Sequence, residues 1–225
     1  MINQSNQNTK TVLSLVVPVF NEAETVDIFI EKVYEVFKND SSIHVEMVFV
    51  NDGSTDDTLD RLLKCQIREL RLRIVDLSRN FGKEAALTAG LQAAKGQIIV
   101  PIDVDLQDPP ELILEMIALW RNGYEVVLGR RINRDSDSLV KRTFANWFYR
   151  FHNKIGNPKL PENVGDFRLM DRAVVESLNT LPESRRFMKG LLLGWASAQP
   201  MSITLDQSAW RAQPSSTAGN YGILR

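Results

Sequence analysis

Residues 98–111 of this 225-residue chain are Ile-Ile-Val-Pro-Ile-Asp-Val-Asp-Leu-Gln-Asp-Pro-Pro-Glu, an apolar run that ends in carboxylates. This pattern is typical of a buried strand that ends at the edge of a sheet. Asp103 and Asp105 face the same side of an extended chain, where two carboxylates can hold Mg²⁺ or Mn²⁺ and, through it, a diphosphate. The alternative is an acidic cluster at the start of a helix, which explains Asp108 and Glu111 better than it explains the first two aspartates.

Apolar segments and helical patterns alternate on both sides of this stretch. The predicted strands are 12–19, 45–50, 72–77, 98–102 and 125–128. Their short connections predict an α/β fold, Rossmann-like, with a mostly parallel sheet and helices on both faces. Ligands of such sheets bind beyond the carboxyl ends of the strands. The clusters Asn21-Glu22 and Asn51-Asp52-Gly53-Ser54 follow two predicted strands and therefore predict a ligand site, although the second is also an ordinary turn and helix cap.

The composition excludes several classes of function. The net charge of −1 disfavours nucleic-acid binding, so no nucleic-acid partner is expected. Cys65 is the only cysteine, which excludes an intrachain disulfide and predicts a reducing compartment. Only two histidines are present, which disfavours a histidine-rich metal site. The polar residues 1–10 do not resemble a signal peptide, and no apolar run approaches the roughly 18–20 residues that span a bilayer.

Further basic and acidic residues are candidates for substrate binding. Arg79 and Lys83 follow the third predicted strand and could meet phosphates or order the acidic loop, and a plain solvated loop is equally well supported. Asp166 and Arg168 share a face if their segment is extended, where a structural ion pair is the alternative. Residues 130–159 are basic and rich in aromatic side chains, which predicts an amphipathic helix. Contact with anionic lipid headgroups and a solvated charged face are equally supported there.

Six strings taken together resemble the family 2 inverting glycosyltransferases with the GT-A fold. The strings are Val17-Pro18-Val19-Phe20-Asn21-Glu22, Val50-Asn51-Asp52-Gly53-Ser54, Ser78-Arg79-Asn80-Phe81-Gly82-Lys83-Glu84, Asp103-Val104-Asp105-Leu106-Gln107-Asp108-Pro109-Pro110-Glu111, Gly165-Asp166-Phe167-Arg168 and Phe187-Met188-Lys189-Gly190. Within that family the chain is similar to the polyprenyl-phosphate glycosyltransferases, such as dolichol-phosphate mannose synthases and bactoprenol glucosyltransferases. The resemblance covers about residues 12–195.

The resemblance implies roles for individual residues. The nucleoside would be held by Pro18, Glu22 and Asp52. The metal, Mg²⁺ or Mn²⁺, and the diphosphate would be organised by Asp103, Asp105 and Gln107, with Asp105 also counted as catalytic. Phosphate groups would be met by Arg130 or Arg131 and by Lys189. Asp166 would be the base candidate at the acceptor.

The implied activity is transfer of a sugar, with inversion, from a nucleotide-sugar donor to a polyprenyl phosphate such as undecaprenyl phosphate. We expect a UDP-linked donor, a role in building envelope glycan or modifying lipid, and peripheral attachment to the cytoplasmic face of the inner membrane. A homo-oligomer is compatible with the sequence. The alternatives are a glycosyltransferase of the same fold that extends a saccharide, and an inactive remnant that only binds nucleotide.

The end of the chain departs from the family pattern. We expect a disordered segment over 1–10, the GT-A domain over 11–195, and an aberrant or truncated tail over 196–225 without the family's membrane spans. Our hypothesis is that a frameshift near residues 195–200 truncated the gene. The nucleotide sequence tests it, because a shifted frame would have to encode the missing continuation.

Overall fold

The computed structural model describes residues 11–68, 71–130, 164–180 and 202–206. The chain divides into two compact units, Met1–Leu106 and Gln107–Arg225. The first unit contains the elements that carry the candidate site.

The strands of the first unit are β1 (Thr11–Val19), β2 (Ile43–Asn51), β3 (Leu72–Asp76) and β4 (Ile98–Pro101). Its helices are α1 (Val26–Phe37), α2 (Thr58–Arg68) and α3 (Lys83–Ala93). The strand order is β3-β2-β1-β4 and the pairings are parallel. Strands that alternate with helices, as they do here, form parallel sheets because each crossover helix returns the chain to the same end.

The carboxyl ends of β1, β2 and β3 finish at the same level, and β4 ends at Pro101, opposite Val16 of β1. Val19 of β1 lies opposite Asn51 of β2, and Asn51 lies opposite Asp76 of β3. The next backbone hydrogen bonds continue this register, since the Asp52 N–H donates to the Val19 carbonyl at 2.9 Å and the Leu77 N–H donates to the Asn51 carbonyl at 2.9 Å. The loops that leave these strands therefore start at one edge of the sheet, where open α/β sheets bind ligands.

Helix α3 packs unusually close to the centre of the sheet. A Cβ added at Gly90 would lie 2.4 Å from Val16 Cγ1 on β1 and 2.9 Å from Val50 Cγ2 on β2. Small residues in this helix, including Ala86, allow that approach, and Ala86 is itself fully buried. The position of α3 matters for the site because its first residue is Lys83.

We predict that Gly90→Ala destabilises the protein by about 1–2 kcal/mol. Overpacking a dense core typically costs about 1–3 kcal/mol, and the better helix propensity of alanine offsets only about 0.5–1 kcal/mol of it. Urea unfolding measures the change. Gln92→Ala, at an exposed position of the same helix, is the matched control. A Gly90→Ala protein as stable as the wild type would contradict the close packing.

The second unit contains α4 (Leu112–Arg121), β5 (Val126–Arg130), β6 (Val164–Asp171), α5 (Arg172–Thr180) and β7 (Ser202–Asp206). The strand order is β6-β5-β7, with β5 antiparallel to β6 and parallel to β7. Strand β7 lies within 196–225, for which the sequence predicts only an aberrant tail. The domain limits drawn from the sequence stay a prediction.

The predicted α/β class with a mostly parallel sheet is confirmed. Helix α1 begins at Val26, several residues after the end of β1, because Asn21 has the left-handed φ of 56° and interrupts a right-handed helix. Helix α4 begins at Leu112, after a tighter turn in which the Leu112 N–H donates to the Pro109 carbonyl at 3.1 Å.

Several predictions concern residues that lie outside the described ranges. These are the disordered segment 1–10, the basic helix beyond residue 130, the phosphate contacts of Arg131 and Lys189, and most of the tail. Within the part of the chain that the structure describes, no helix combines the length and the apolar character that a membrane crossing requires.

Candidate functional site

A cavity of about 360 Å³ opens in the first unit, at the carboxyl ends of the strands. Six of the residues that line it are predicted site residues, namely Pro18, Glu22, Asp52, Lys83, Asp103 and Asp105. They come from four separate segments of the sequence, which the parallel sheet brings to one place. A cavity of this size is within the range that holds small ligands.

Asp52 joins the loop after β2 to the loop after β3. Its side chain is 4% exposed, and its two carboxylate oxygens accept hydrogen bonds from the Phe81 N–H at 2.8 Å and the Gly82 N–H at 2.9 Å. A carboxylate has about four acceptor positions, so Asp52 can bind the second loop and still face a ligand in the cavity. The residue is therefore both part of the scaffold and part of the wall.

The neighbours of Asp52 hold the same two loops together. Gly53 has a φ of 66°, and a Cβ there would lie 2.3 Å from the carbonyl carbon of Arg79. The Asn51 side-chain amide donates to Asp76 Oδ1 at 2.7 Å, and Asn51 Oδ1 accepts from the Ser54 N–H at 3.2 Å. The Asn-Asp-Gly-Ser string thus forms the turn that the alternative interpretation expects, and it forms it beside the cavity.

Glu22 is fixed by contacts with Thr25 and Thr58. Its Oε2 accepts from the Thr25 hydroxyl at 2.7 Å, and its backbone N–H donates to the Thr58 hydroxyl at 2.8 Å. The Thr58 hydroxyl in turn donates to Asp56, which also caps the start of α2 through the Thr58 N–H. These bonds connect the loop after β1 to the loop after β2.

We predict that removing the Thr58 hydroxyl raises the pKa of Asp56. In the wild type the hydrogen bond from Thr58 lowers the pKa of this exposed carboxyl below its ordinary value of 3.8. Because the lowered pKa belongs to the folded state, the associated stability is present above pH 3.8 and is lost as the pH falls through the lower, folded-state pKa. NMR titration of the Asp56 carboxyl in wild type and Thr58→Val measures the shift. An unchanged pKa in the variant would contradict the assigned cause.

Lys83 pairs with Asp103 inside the cavity. Its ammonium nitrogen lies 2.7 Å from Asp103 Oδ1 and 2.8 Å from Asp103 Oδ2, with side chains that are 43% and 37% exposed. The ion pair favours the interpretation in which Lys83 orders the acidic loop after β4 over the interpretation in which Lys83 belongs to a plain solvated loop. Arg79 instead lies over the Phe81 ring, 4.2 Å from its centroid, and does not line the cavity.

Asp103 and Asp105 fit a divalent cation in their chemistry. Both line the cavity, and Mg²⁺ is commonly held by one or two carboxylates together with substrate phosphates and water. Within the described ranges no group of three or more His, Cys, Asp or Glu side chains is arranged to hold a metal ion. Leu106, the next residue, has a φ of 57°, an uncommon conformation for leucine that turns the chain away after Asp105.

The other predicted residues lie in the second unit. Gln107 is exposed. Arg168 is 2% exposed and is the largest fully buried side chain among the described residues, which favours its structural alternative. Asp166 lies in β6 and Arg130 ends β5, and their side chains are outside the described part of the structure.

The cavity is also lined by Phe20, Asn80 and Gly82, for which the sequence predicts no individual role. Phe20 is 43% exposed although it follows a buried strand. An exposed aromatic ring at a strand end was the available signal, since such rings commonly form ligand contacts. Asn80 and Gly82 carried no comparable signal, because their position depends on the bonds to Asp52.

Comparison with known sequences identifies a family and relatives of this chain. Residues 14–178 match Glycosyl transferase family 2. The prophage bactoprenol glucosyl transferase homolog of Escherichia coli K12 is 51% identical over 180 residues, which are 80% of this chain and 58% of that protein. The bactoprenol glucosyl transferase of Shigella phage SfV is 49% identical over 187 residues, 83% of this chain and 60% of that protein. The chain therefore spans less than two thirds of the length of these curated relatives.

Comparison with solved structures supports the fold. Glucosyl-3-phosphoglycerate synthase from Mycobacterium tuberculosis, in complex with Mn²⁺, uridine diphosphate and phosphoglyceric acid, matches with a TM-score of 0.62 at 22% identity, over 88% of this chain and 69% of that one. Mannosyltransferase PcManGT from Pyrobaculum calidifontis, in complex with GDP-Man and Mn²⁺, matches with a TM-score of 0.59 at 22% identity, over 90% and 60%. At this identity the likeness establishes a shared fold.

Proposed function

Because the chain belongs to glycosyl transferase family 2 and has the GT-A fold, we propose that it transfers a sugar from a nucleoside-diphosphate donor to a polyprenyl phosphate. The observation that carries the proposal is the cavity at the strand ends, where Asp103 and Asp105 lie beside Lys83 and Asp52. The relatives that are 51% and 49% identical to the chain over the matched residues are named bactoprenol glucosyl transferases, which supports a polyprenyl-phosphate acceptor.

The donor in this proposal is UDP-linked, and glucose is the first sugar to test. The names of the relatives support a glucosyl group. Pro18, Glu22 and Asp52 would hold the nucleoside, because they line the cavity on the side of the loops after β1 and β2. The Asp52 carboxylate can accept hydrogen bonds from a nucleobase or ribose in addition to those from Phe81 and Gly82.

Asp103, Asp105 and Gln107 would hold the divalent cation, Mg²⁺ or Mn²⁺. When bound, the cation offsets the negative charge that develops on the departing nucleoside diphosphate. Mn²⁺ is present in the two solved structures that share this fold, and the carboxylates of Asp103 and Asp105 are the reason to expect the same class of ion here.

The proposed reaction is a single displacement. A phosphate oxygen of the acceptor forms a bond to the anomeric carbon as the bond from that carbon to the diphosphate oxygen breaks, and the diphosphate leaves with the electron pair. Attack from the opposite face inverts the anomeric configuration. A phosphate monoester has a second pKa near 6 and is mostly dianionic at neutral pH, so it needs little help from a base. Asp166 would then position the acceptor and take any remaining proton.

The remaining basic residues stay phosphate-contact candidates within this proposal. They are Arg130, Arg131 and Lys189, because Arg168 is buried and Arg79 lies over the Phe81 ring and does not line the cavity. We also propose that the chain acts peripherally at the cytoplasmic face of the inner membrane, because its donor would be water-soluble and its acceptor embedded in lipid.

A donor and acceptor screen tests the proposal. Purified full-length chain is incubated with Mn²⁺ or Mg²⁺, labelled UDP-glucose or GDP-mannose, and either undecaprenyl phosphate in mixed micelles or soluble oligosaccharides. Metal-dependent transfer of glucose to the lipid is the expected result. Transfer only to oligosaccharides would favour a saccharide-extending enzyme, and nucleotide binding by calorimetry without any transfer would favour a remnant that only binds nucleotide.

A further inference from the structure

The Lys83–Asp103 pair places a positive charge on a carboxylate that the proposed function assigns to a metal ion. The ammonium nitrogen lies within 2.8 Å of both carboxylate oxygens, so it occupies the bidentate position in front of this carboxylate. The charged side chains around the cavity, among the described residues, are four carboxylates and this one ammonium. Lys83 is therefore the one described cation on the wall that can neutralise them.

We propose that Lys83 is an internal counter-ion that pairs with Asp103 until the nucleotide binds. Its ammonium then pairs with the donor's diphosphate instead, and the Asp103 carboxylate becomes available to the divalent cation. Lys83 would thus make metal binding depend on nucleotide binding. The inference rests on the proposed function, because it takes a nucleoside diphosphate as the ligand that draws Lys83 away.

Competition for Asp103 follows from distance and charge. Divalent cations bind carboxylate oxygens at about 2.0–2.2 Å, and an ammonium cannot remain in front of the same two oxygens when a cation enters there. A lysine that stays nearby also repels the incoming double charge. A diphosphate removes both obstacles, because it offers the ammonium new oxygen partners and adds negative charge to the cavity.

The surrounding structure keeps Lys83 in reach of both ligands. It is the first residue of α3, and the N–H of the preceding residue, Gly82, is fixed by Asp52 Oδ2 at 2.9 Å. Its backbone is thus held on the wall where the nucleoside contacts are proposed, while its flexible side chain reaches Asp103. A small rotation of that side chain is enough to exchange partners, since lysine has four rotatable bonds and three equivalent donors.

The test measures binding of Mn²⁺ alone, in the absence of nucleotide, by the electron paramagnetic resonance signal of free Mn²⁺. We expect Lys83→Met to bind Mn²⁺ about fivefold or more tightly than the wild type, since the competing and repelling charge is gone. Lys83→Arg keeps the charge and is expected to bind as weakly as the wild type. Lys95→Met is the matched control, because Lys95 is exposed beyond the other end of α3 and does not line the cavity.

A second arm measures the affinity for UDP with and without Mn²⁺. Lys83→Met is expected to weaken binding of UDP without metal by about threefold or more and to reduce the degree to which UDP strengthens Mn²⁺ binding. Mn²⁺ binding by Lys83→Met that is no tighter than in the wild type, including no detectable binding by either protein, overturns the inference. Failure of the proposed function is a separate outcome, in which Mn²⁺ affinity rises in Lys83→Met and no donor is turned over.

Discussion

Asp105→Asn is expected to lower kcat/KM for sugar transfer by about 10³-fold, equivalent to about 4 kcal/mol of transition-state stabilisation. The substitution keeps the size of the side chain and removes its charge. Asp105 lines the cavity, as Asp103 does two positions earlier in the sequence. A cation shared by the two carboxylates would be held by only one charged ligand in the variant. The departing diphosphate would then develop its charge with less compensation.

Two readouts separate loss of the metal from loss of the fold. Calorimetry is expected to show that Mn²⁺ no longer strengthens UDP binding in Asp105→Asn, while the urea unfolding curve stays close to that of the wild type because Asp105 is exposed. Asp60→Asn removes an exposed carboxylate from α2, away from the cavity, and is expected to retain wild-type turnover. Undiminished metal-dependent turnover by Asp105→Asn would rule out the metal assignment.

The sheet and the location of the site could be predicted because both depend on local pattern. Strands β1, β2 and β4 are apolar on both faces, which is how strands covered on both sides appear in a sequence. Each is followed by polar residues, and the parallel topology then places Asn21, Asp52 and Asp103 at one edge. Neither step needs information about which side chains touch.

The contacts inside the site could not be predicted because they join segments that are far apart in the sequence. Asp52 binds the backbone of Phe81 and Gly82 across about thirty positions, and Lys83 binds Asp103 across twenty. A carboxylate that accepts two backbone N–H groups looks the same in a sequence as one that only faces ligand. The left-handed Asn21, which delays the start of α1, was likewise hidden, since asparagine is also common in right-handed turns.

These contacts give the site a physical order. The loop after β2 fixes the loop after β3 through Asp52, and the loop after β3 leads into α3 and Lys83. The helix in turn is seated against the sheet at Gly90. The residues proposed to hold the nucleoside are therefore rigidly connected to Lys83, which pairs with the proposed metal ligand Asp103. A substitution at Asp52 is expected to affect both the nucleoside contacts and the Lys83–Asp103 pair.

Asp52→Ala is expected to lower the free energy of unfolding by about 2–4 kcal/mol and to weaken UDP binding at least tenfold. Truncation removes two hydrogen bonds from the Phe81 and Gly82 N–H groups to a carboxylate. Hydrogen bonds to charged groups contribute about 1.5–3 kcal/mol each, and water at these part-buried donors replaces some of that loss. Urea unfolding and calorimetry with UDP measure the two effects. Asp57→Ala, which removes an exposed carboxylate five residues further along the same loop, is the control and is expected to change neither by much.

Asp52→Asn distinguishes the two-acceptor role from a simple need for a polar side chain. In the wild type each N–H group meets its own carboxylate oxygen, so an asparagine in the same position keeps one acceptor oxygen and turns its NH₂ group toward the other donor. We therefore expect a loss of stability close to that of Asp52→Ala, although the side chains of Asp and Asn have nearly the same shape. A stable Asp52→Asn protein that has lost UDP binding would show that Asp52 contacts the ligand without supporting the loop, because the variant has no second oxygen for the second backbone donor.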